Sequence, residues 1–124
     1  MPIKIGEAEL SVEIASSFRE KERGLSNRDN LNQDRGLLFI FDKEDFYYIW
    51  MKDMKFPIDI VWIDGWGRVI EIKSAVAPST YPKSFTSQKP AYYVLEVNAG
   101  WATENDIKIG DKMERIPPKF GWEE

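Results

Sequence analysis

Ile58-Asp59-Ile60-Val61-Trp62-Ile63-Asp64-Gly65-Trp66-Gly67 decides the fold. Its first part is rich in β-branched and aromatic residues, which fit a pleated, buried surface. Pro57 sets it off from what precedes it. Asp64-Gly65-Trp66-Gly67 then supplies the Asp-Gly signal of a tight hairpin. Residues Arg68 to Ala75 return as the antiparallel partner, with Val69 and Ile72 facing inward.

Working outward, the same grammar repeats. Towards the N-terminus, Leu37-Leu38-Phe39-Ile40-Phe41 is a continuous apolar run of strand length, predicted to be buried on both faces. Asp42-Lys43-Glu44-Asp45 reads as a turn, and Phe46 to Met51 as a further strand. Ile3 and Ile5, then Ala8, Leu10, Val12 and Ile14, alternate with polar residues, the period of two half-buried strands paired through Gly6-Glu7. Ser17-Phe18-Arg19-Glu20 has the spacing of a capping box, and Gly24 is a natural stop for the short helix it starts. Residues 26–35 read as loop, with Leu31 as an anchor.

Towards the C-terminus, Ala77 to Pro90 holds Pro78, Pro82 and Pro90 and reads as a long ordered loop. Ala91 to Val97 is a strand of high β propensity. Trp101 to Asn105 has room for one helical turn, and Lys112 to Ile116 for a last short strand. The expectation is one mainly β domain over residues 1–116, an antiparallel sandwich or partly open barrel of jelly-roll type with one short helix, and a frayed tail over 117–124. Leu38, Phe39, Phe41, Ile60, Leu95 and Val97 are its predicted core.

Composition narrows the chemistry. The chain has 124 residues, 43% hydrophobic and 31% charged, which suits one soluble globular domain. Its net charge of −4 opposes nucleic acid and anionic membrane surfaces. Cysteine and histidine are both absent. Disulfides, thiolate or imidazole metal sites and a Ser-His-Asp triad are therefore excluded, and no metal or cofactor is expected. The N-terminus lacks an apolar run of signal-peptide or membrane-spanning length.

Several short motifs then fall in a known order. Gly24-Leu25-Ser26-Asn27-Arg28 is similar to Gly-Leu-Met-x-Arg, and Gly36-Leu37-Leu38-Phe39 to Gly-Met-Leu-Phe. Trp50-Met51-Lys52-Asp53-Met54 is similar to Trp-Met-Lys-Asn-Thr, with Pro57-Ile58-Asp59-Ile60 after it. Tyr93-Val94-Leu95-Glu96 and Gly110-Asp111 complete the order. The chain resembles the family of domain of unknown function 192 from Ile3 to Ile116, departing at Ser26, Asp53 and Met54. The resemblance implies a compact β architecture related to jelly-roll sandwiches, in bacterial and archaeal proteins often carried behind an export signal. It implies no activity.

The candidate site residues are Trp50, Lys52, Asp59, Trp66, Tyr81, Glu96 and Trp101. Strand parity puts Trp50 and Lys52 on one face, where they could meet an anion or a sugar. Glu96 shares a face with Tyr92, Val94 and Asn98. It is either ion-paired with Lys52, Arg28 or Lys73, or desolvated and raised in pKa. Asp59 either caps backbone N–H groups or joins Glu96 as the second carboxyl of a glycosidase-like hydrolase. Trp66, Tyr81 and Trp101 sit in turns and loops as aromatic platforms or as lids. The leading expectation is a non-catalytic ligand-binding or accessory domain for a small-molecule, carbohydrate or protein ligand. The rivals are the hydrolase and a purely structural partner domain.

Overall fold

The computed structural model describes residues 1–115. The expected tail over 117–124 lies outside them, as does Ile116. In chain order the strands are β1 (Pro2–Ile5), β2 (Ala8–Ala15), β3 (Arg35–Asp45), β4 (Ile49–Trp50), β5 (Ile58–Ile63), β6 (Val69–Val76), β7 (Ser84–Phe85), β8 (Ala91–Asn98) and β9 (Met113–Arg115). Helix α1 (Phe18–Arg23) lies between β2 and β3, and the single turn α2 (Trp101–Glu104) follows β8. A further 3-10 turn spans Pro78–Thr80.

One seven-stranded sheet runs in the order β6-β5-β8-β3-β2-β1-β9, and β4 pairs with β7 apart from it. The large sheet curls until its two ends meet. Arg68 bridges Lys112. Val69 N–H donates to the Asp111 carbonyl at 2.9 Å, Gly110 N–H to Val69 at 2.8 Å and Met113 N–H to Gly67 at 2.7 Å. The fold is thus mainly β, a half-barrel closed along this seam.

Alternation along the central strands builds two apolar layers. Leu38, Val61, Ile63, Leu95 and Val97 point into the curl with Ile3, Ile5, Leu10, Val12 and Trp101. Leu37, Phe39, Ile58, Ile60, Trp62 and Val94 point outward. There they are covered by Leu25, Tyr47, Ile49, Met51, Met54, Phe56 and Phe85. Strands β3, β5 and β8 are therefore buried on both faces, which is why they read as continuous apolar runs. Of the predicted core, Phe41 alone is only half-buried, packed against the outer layer.

Three local features differ from the expectation. Strand β2 runs parallel to β3, Ser11 opposite Arg35 through Ala15 opposite Phe39, while the other pairs are antiparallel. A parallel pair needs a crossover, and α1 with the loop after it provides that connection. Asp42–Asp45 is extended rather than turned, carrying β3 onward through an irregularity between Ile40 and Asp45. Only Ile49–Trp50 of the expected 46–51 strand is ladder-paired. The Tyr47 carbonyl instead accepts from Trp62 Nε1 and the Thr86 hydroxyl, both at 3.0 Å, so side chains take the place of a strand partner.

Candidate functional site

The site is built around Glu96, at the middle of the sheet. In register, Glu96 lies between Leu37 of β3 and Ile60 of β5, both apolar and both part of the outer layer. Glu96 is only 4% exposed. Among the described residues no cation or hydrogen-bond donor meets its carboxyl. None of the cations that parity left open to it reaches it. Arg28 makes a two-pronged pair with Glu13 at 2.8 Å, Lys73 meets Glu71 at 3.5 Å, and Lys52 lies over Trp50. Burial without a partner pushes the Glu96 carboxyl up to about 8. Burial thus favours the neutral form, which is able both to donate and to accept a hydrogen bond.

Above Glu96 lies a cavity of about 300 Å³ between α1, its following loop and the segment around β4. Local structure explains how it stays open. The capping box forms: Ser17 Oγ accepts from Glu20 N–H at 3.1 Å, and Glu20 Oε1 accepts from Ser17 N–H at 3.0 Å. Gly24 ends α1 at φ +51°, where L side chains are strained. A Cβ there would lie 3.3 Å from Phe39 Cζ and 3.9 Å from Glu96 Oε1, so a side chain would crowd the floor of the cavity. Leu25, 1% exposed, then anchors the loop in the outer layer. The Ser26 hydroxyl donates to the Lys52 carbonyl at 3.1 Å, and Asn27 N–H to the Asp53 carbonyl at 2.8 Å. The Gly24–Arg28 and Trp50–Met54 motifs thus form one wall.

That wall brings Trp50, Lys52 and Glu96 to the same cavity, with Lys21, Arg23, Phe39 and Tyr48. Trp50 is 48% exposed. Lys52 Nζ sits 5.8 Å from its ring centroid, and the Tyr81 ring lies 5.0 Å away, tilted by 59°. Lys21 Nζ lies 4.7 Å above the Phe41 ring, which stacks on Tyr47 at 3.5 Å.

The other candidates lie elsewhere. Asp59 is fully buried, and its carboxylate accepts from Ala75 N–H at 2.8 Å, Ala102 N–H at 2.9 Å and Gly100 N–H at 3.1 and 3.2 Å. It caps the loop before α2 and the end of β6. Trp101 is 5% exposed within the inner layer and offers no open ring face. Trp66 stands exposed at the β5–β6 hairpin, beside a separate cavity with Met113 and Tyr93. Lys21, Arg23 and Tyr48 were not singled out from the sequence, and Phe39 was read as core alone. The signal for Lys21 and Arg23 was the Gly24 stop, which ends α1 beside the cavity. No cluster of three or more carboxylates among the described residues is placed to hold a metal.

A curled half-barrel with one partnerless acid under a helix-and-loop wall defines the class: a small β domain with an open cavity over the buried acid of its outer face. A family model described as "Uncharacterized ACR", the domain of unknown function 192, matches residues 1–115, and the chain belongs to that family. Among curated relatives, a UPF0127 protein from Thermococcus gammatolerans is 32% identical over 102 residues, 81% of this chain and 63% of the relative. Another from Thermococcus kodakarensis is 30% identical over 108 residues, 86% of this chain and 65% of the relative. The chain therefore spans just under two thirds of the length of these relatives. A solved candidate transcription regulator from Sinorhizobium meliloti superposes with a TM-score of 0.86 at 30% identity, covering 91% of both chains. A protein of unknown function from Novosphingobium aromaticivorans gives 0.86 at 28% identity, over 91% of this chain and 83% of that one. The family carries no assigned activity. No helix among the described residues is long and apolar enough to cross a membrane.

Proposed function

We propose that this domain is a non-catalytic binding module, and that its ligand is a small hydroxyl-bearing ring of the sugar type seated in the Glu96 cavity. One observation carries the reading: a partnerless carboxyl on the central strand, open only to that cavity. Burying an acid among apolar neighbours destabilises the fold, and such strain is retained where function needs it. A neutral acid suits a hydroxyl, since each group both donates and accepts. The half-exposed Trp50 ring, braced by Tyr81, supplies a stacking face beside it.

The hydrolase reading takes Asp59 as the second carboxyl beside Glu96. Asp59 does not line the cavity, and backbone N–H groups already occupy its oxygens. Nor does the regulator name of the Sinorhizobium protein find support here. A net charge of −4 repels a phosphate backbone, and α1 has only six residues.

The test is heteronuclear NMR titration of the intact chain with a panel of neutral and acidic monosaccharides. Shifts confined to the amides around Gly24, Trp50 and Glu96 are expected. Glu96→Gln should keep binding, because an amide also donates and accepts, whereas Glu96→Leu should weaken it about tenfold, the ~1.4 kcal/mol of one good hydrogen bond. Equal affinity of the wild type and Glu96→Leu would remove the cavity from the function. Release of reducing sugar from a disaccharide would favour the hydrolase instead.

A further inference from the structure

We infer that the ligand is an acidic oligosaccharide, running from the Glu96 cavity across the Trp50–Lys52 ridge into a second cavity, where Arg19, Arg23 and Lys52 meet its carboxylates. This rests on the binding reading above and extends it from one unit to a chain.

The second cavity, of about 350 Å³, is lined by Arg19, Asn27 and Asp53 on its far side. It shares Glu22, Arg23, Ser26, Trp50 and Lys52 with the first. Two hollows with one aromatic ridge between them suit a ligand made of linked units. Each hollow lies near the lower limit of about 300 Å³ for small-molecule sites, so each takes a single small unit.

Charge gives the second argument. The chain holds 21 acids against 17 bases. Yet Lys21, Arg23 and Lys52 outnumber Glu22 and Glu96 around the first cavity, and Arg19, Arg23 and Lys52 outnumber Glu22 and Asp53 around the second. None of these four cations makes an ion pair among the described residues. Lys4, Arg28, Lys55, Lys73 and Lys108 do, while Arg35, Lys43, Arg68, Lys83, Lys89 and Lys112 also make none, so what distinguishes these four is that they gather around two adjoining cavities. On an acidic protein, cations left without acids are available to an anionic ligand. Arg19 and Arg23 stand four apart on α1 and so share one helix face. A guanidinium holds a carboxylate with two parallel hydrogen bonds. The exposed Trp50 ring offers an apolar face on which a sugar ring can stack.

The experiment is calorimetric titration of the intact chain with galacturonate, trigalacturonate, maltotriose and triglutamate, at low and high salt. Trigalacturonate should bind about tenfold more tightly than galacturonate or maltotriose, and added salt should remove most of that advantage. Arg19→Ala, which alters only the second cavity, should bring trigalacturonate down to the affinity of galacturonate. If the acidic trimer binds no better than the acidic monomer or the neutral trimer, or if Arg19→Ala changes nothing, the two-cavity inference falls. The one-cavity reading would then still stand, provided galacturonate or maltotriose binds and Glu96→Leu weakens that binding about tenfold. Tighter binding of triglutamate than of trigalacturonate would replace the sugar by an acidic peptide. No binding of any sugar probe would overturn both readings.

Discussion

Glu96 and Asp59 show how differently two buried acids behave. Each is the lone acid of its strand, and each is almost wholly buried. Asp59 has three backbone N–H partners, so its burial serves the loops around it. Glu96 has none among the described residues and is raised from 4.5 to about 8 by burial. Between those pH values the folded chain holds a proton that the unfolded chain has released, so stability falls as pH rises through that window. The full penalty is on the order of 4–5 kcal/mol, at about 1.4 kcal/mol per pH unit. Glu96→Gln cannot titrate. Its thermal midpoint should exceed that of the wild type near pH ~9, and the gap should close as pH falls towards ~4.5. A gap independent of pH would mean that Glu96 is ionised and solvated. Parity alone placed Glu96 on the correct face, with Tyr92 and Val94. It could not show that the face is covered, because the covering residues come from 21–26, 47–56 and Phe85, remote in the chain from most of β8. For the same reason, of the two readings open to Glu96 from sequence, an ion pair with Lys52, Arg28 or Lys73 does not form, and the desolvated carboxyl does.

Helix α1 was legible in every detail because its signals are local. Ser17 caps it, Glu20 closes the box, and Gly24 ends it. Ser17→Ala should cost ~0.5–2 kcal/mol, read as a lowered urea midpoint with an unchanged slope. Because α1 carries Arg19, Lys21 and Arg23, the same variant should also weaken ligand binding, and normal affinity would show that these cations do not act from the helix. The strands were legible in proportion to how much of their pairing is local. The β5–β6 hairpin follows from Asp64-Gly65, and the β1–β2 hairpin from Gly6-Glu7. The parallel β2–β3 pair and the shortness of β4 depend on contacts remote in sequence, which period two does not encode.

At the scale of the whole molecule, the curl depends on the seam between the β5–β6 turn and the approach to β9. Gly67 lies there at φ +88°, and a Cβ would come within 3.0 Å of the Met113 carbonyl oxygen. Gly67→Ala should therefore cost ~1–3 kcal/mol and open the seam first. Hydrogen exchange at the Gly110 and Met113 amides should accelerate more than at Leu95, in the middle of β8. Unchanged protection at those two amides would mean that the sheet holds its curl without the seam. A mainly β half-barrel was within reach of the sequence. The closure was not, since it joins residues 67–69 to 110–113 through backbone groups that carry no sequence signature.

The two layers carry their own fluorescent witnesses. Trp62 lies in the outer layer and Trp101 in the inner one, at 0% and 5% exposure. A chain keeping only Trp62 as an emitter would watch the outer packing dissolve, and one keeping only Trp101 would watch the inside of the curl. Because both layers hang on the same strands, β3, β5 and β8, neither can melt while the other stays packed, and the two emission curves should superimpose in denaturant. Light from one side of the sheet would then report the state of the other.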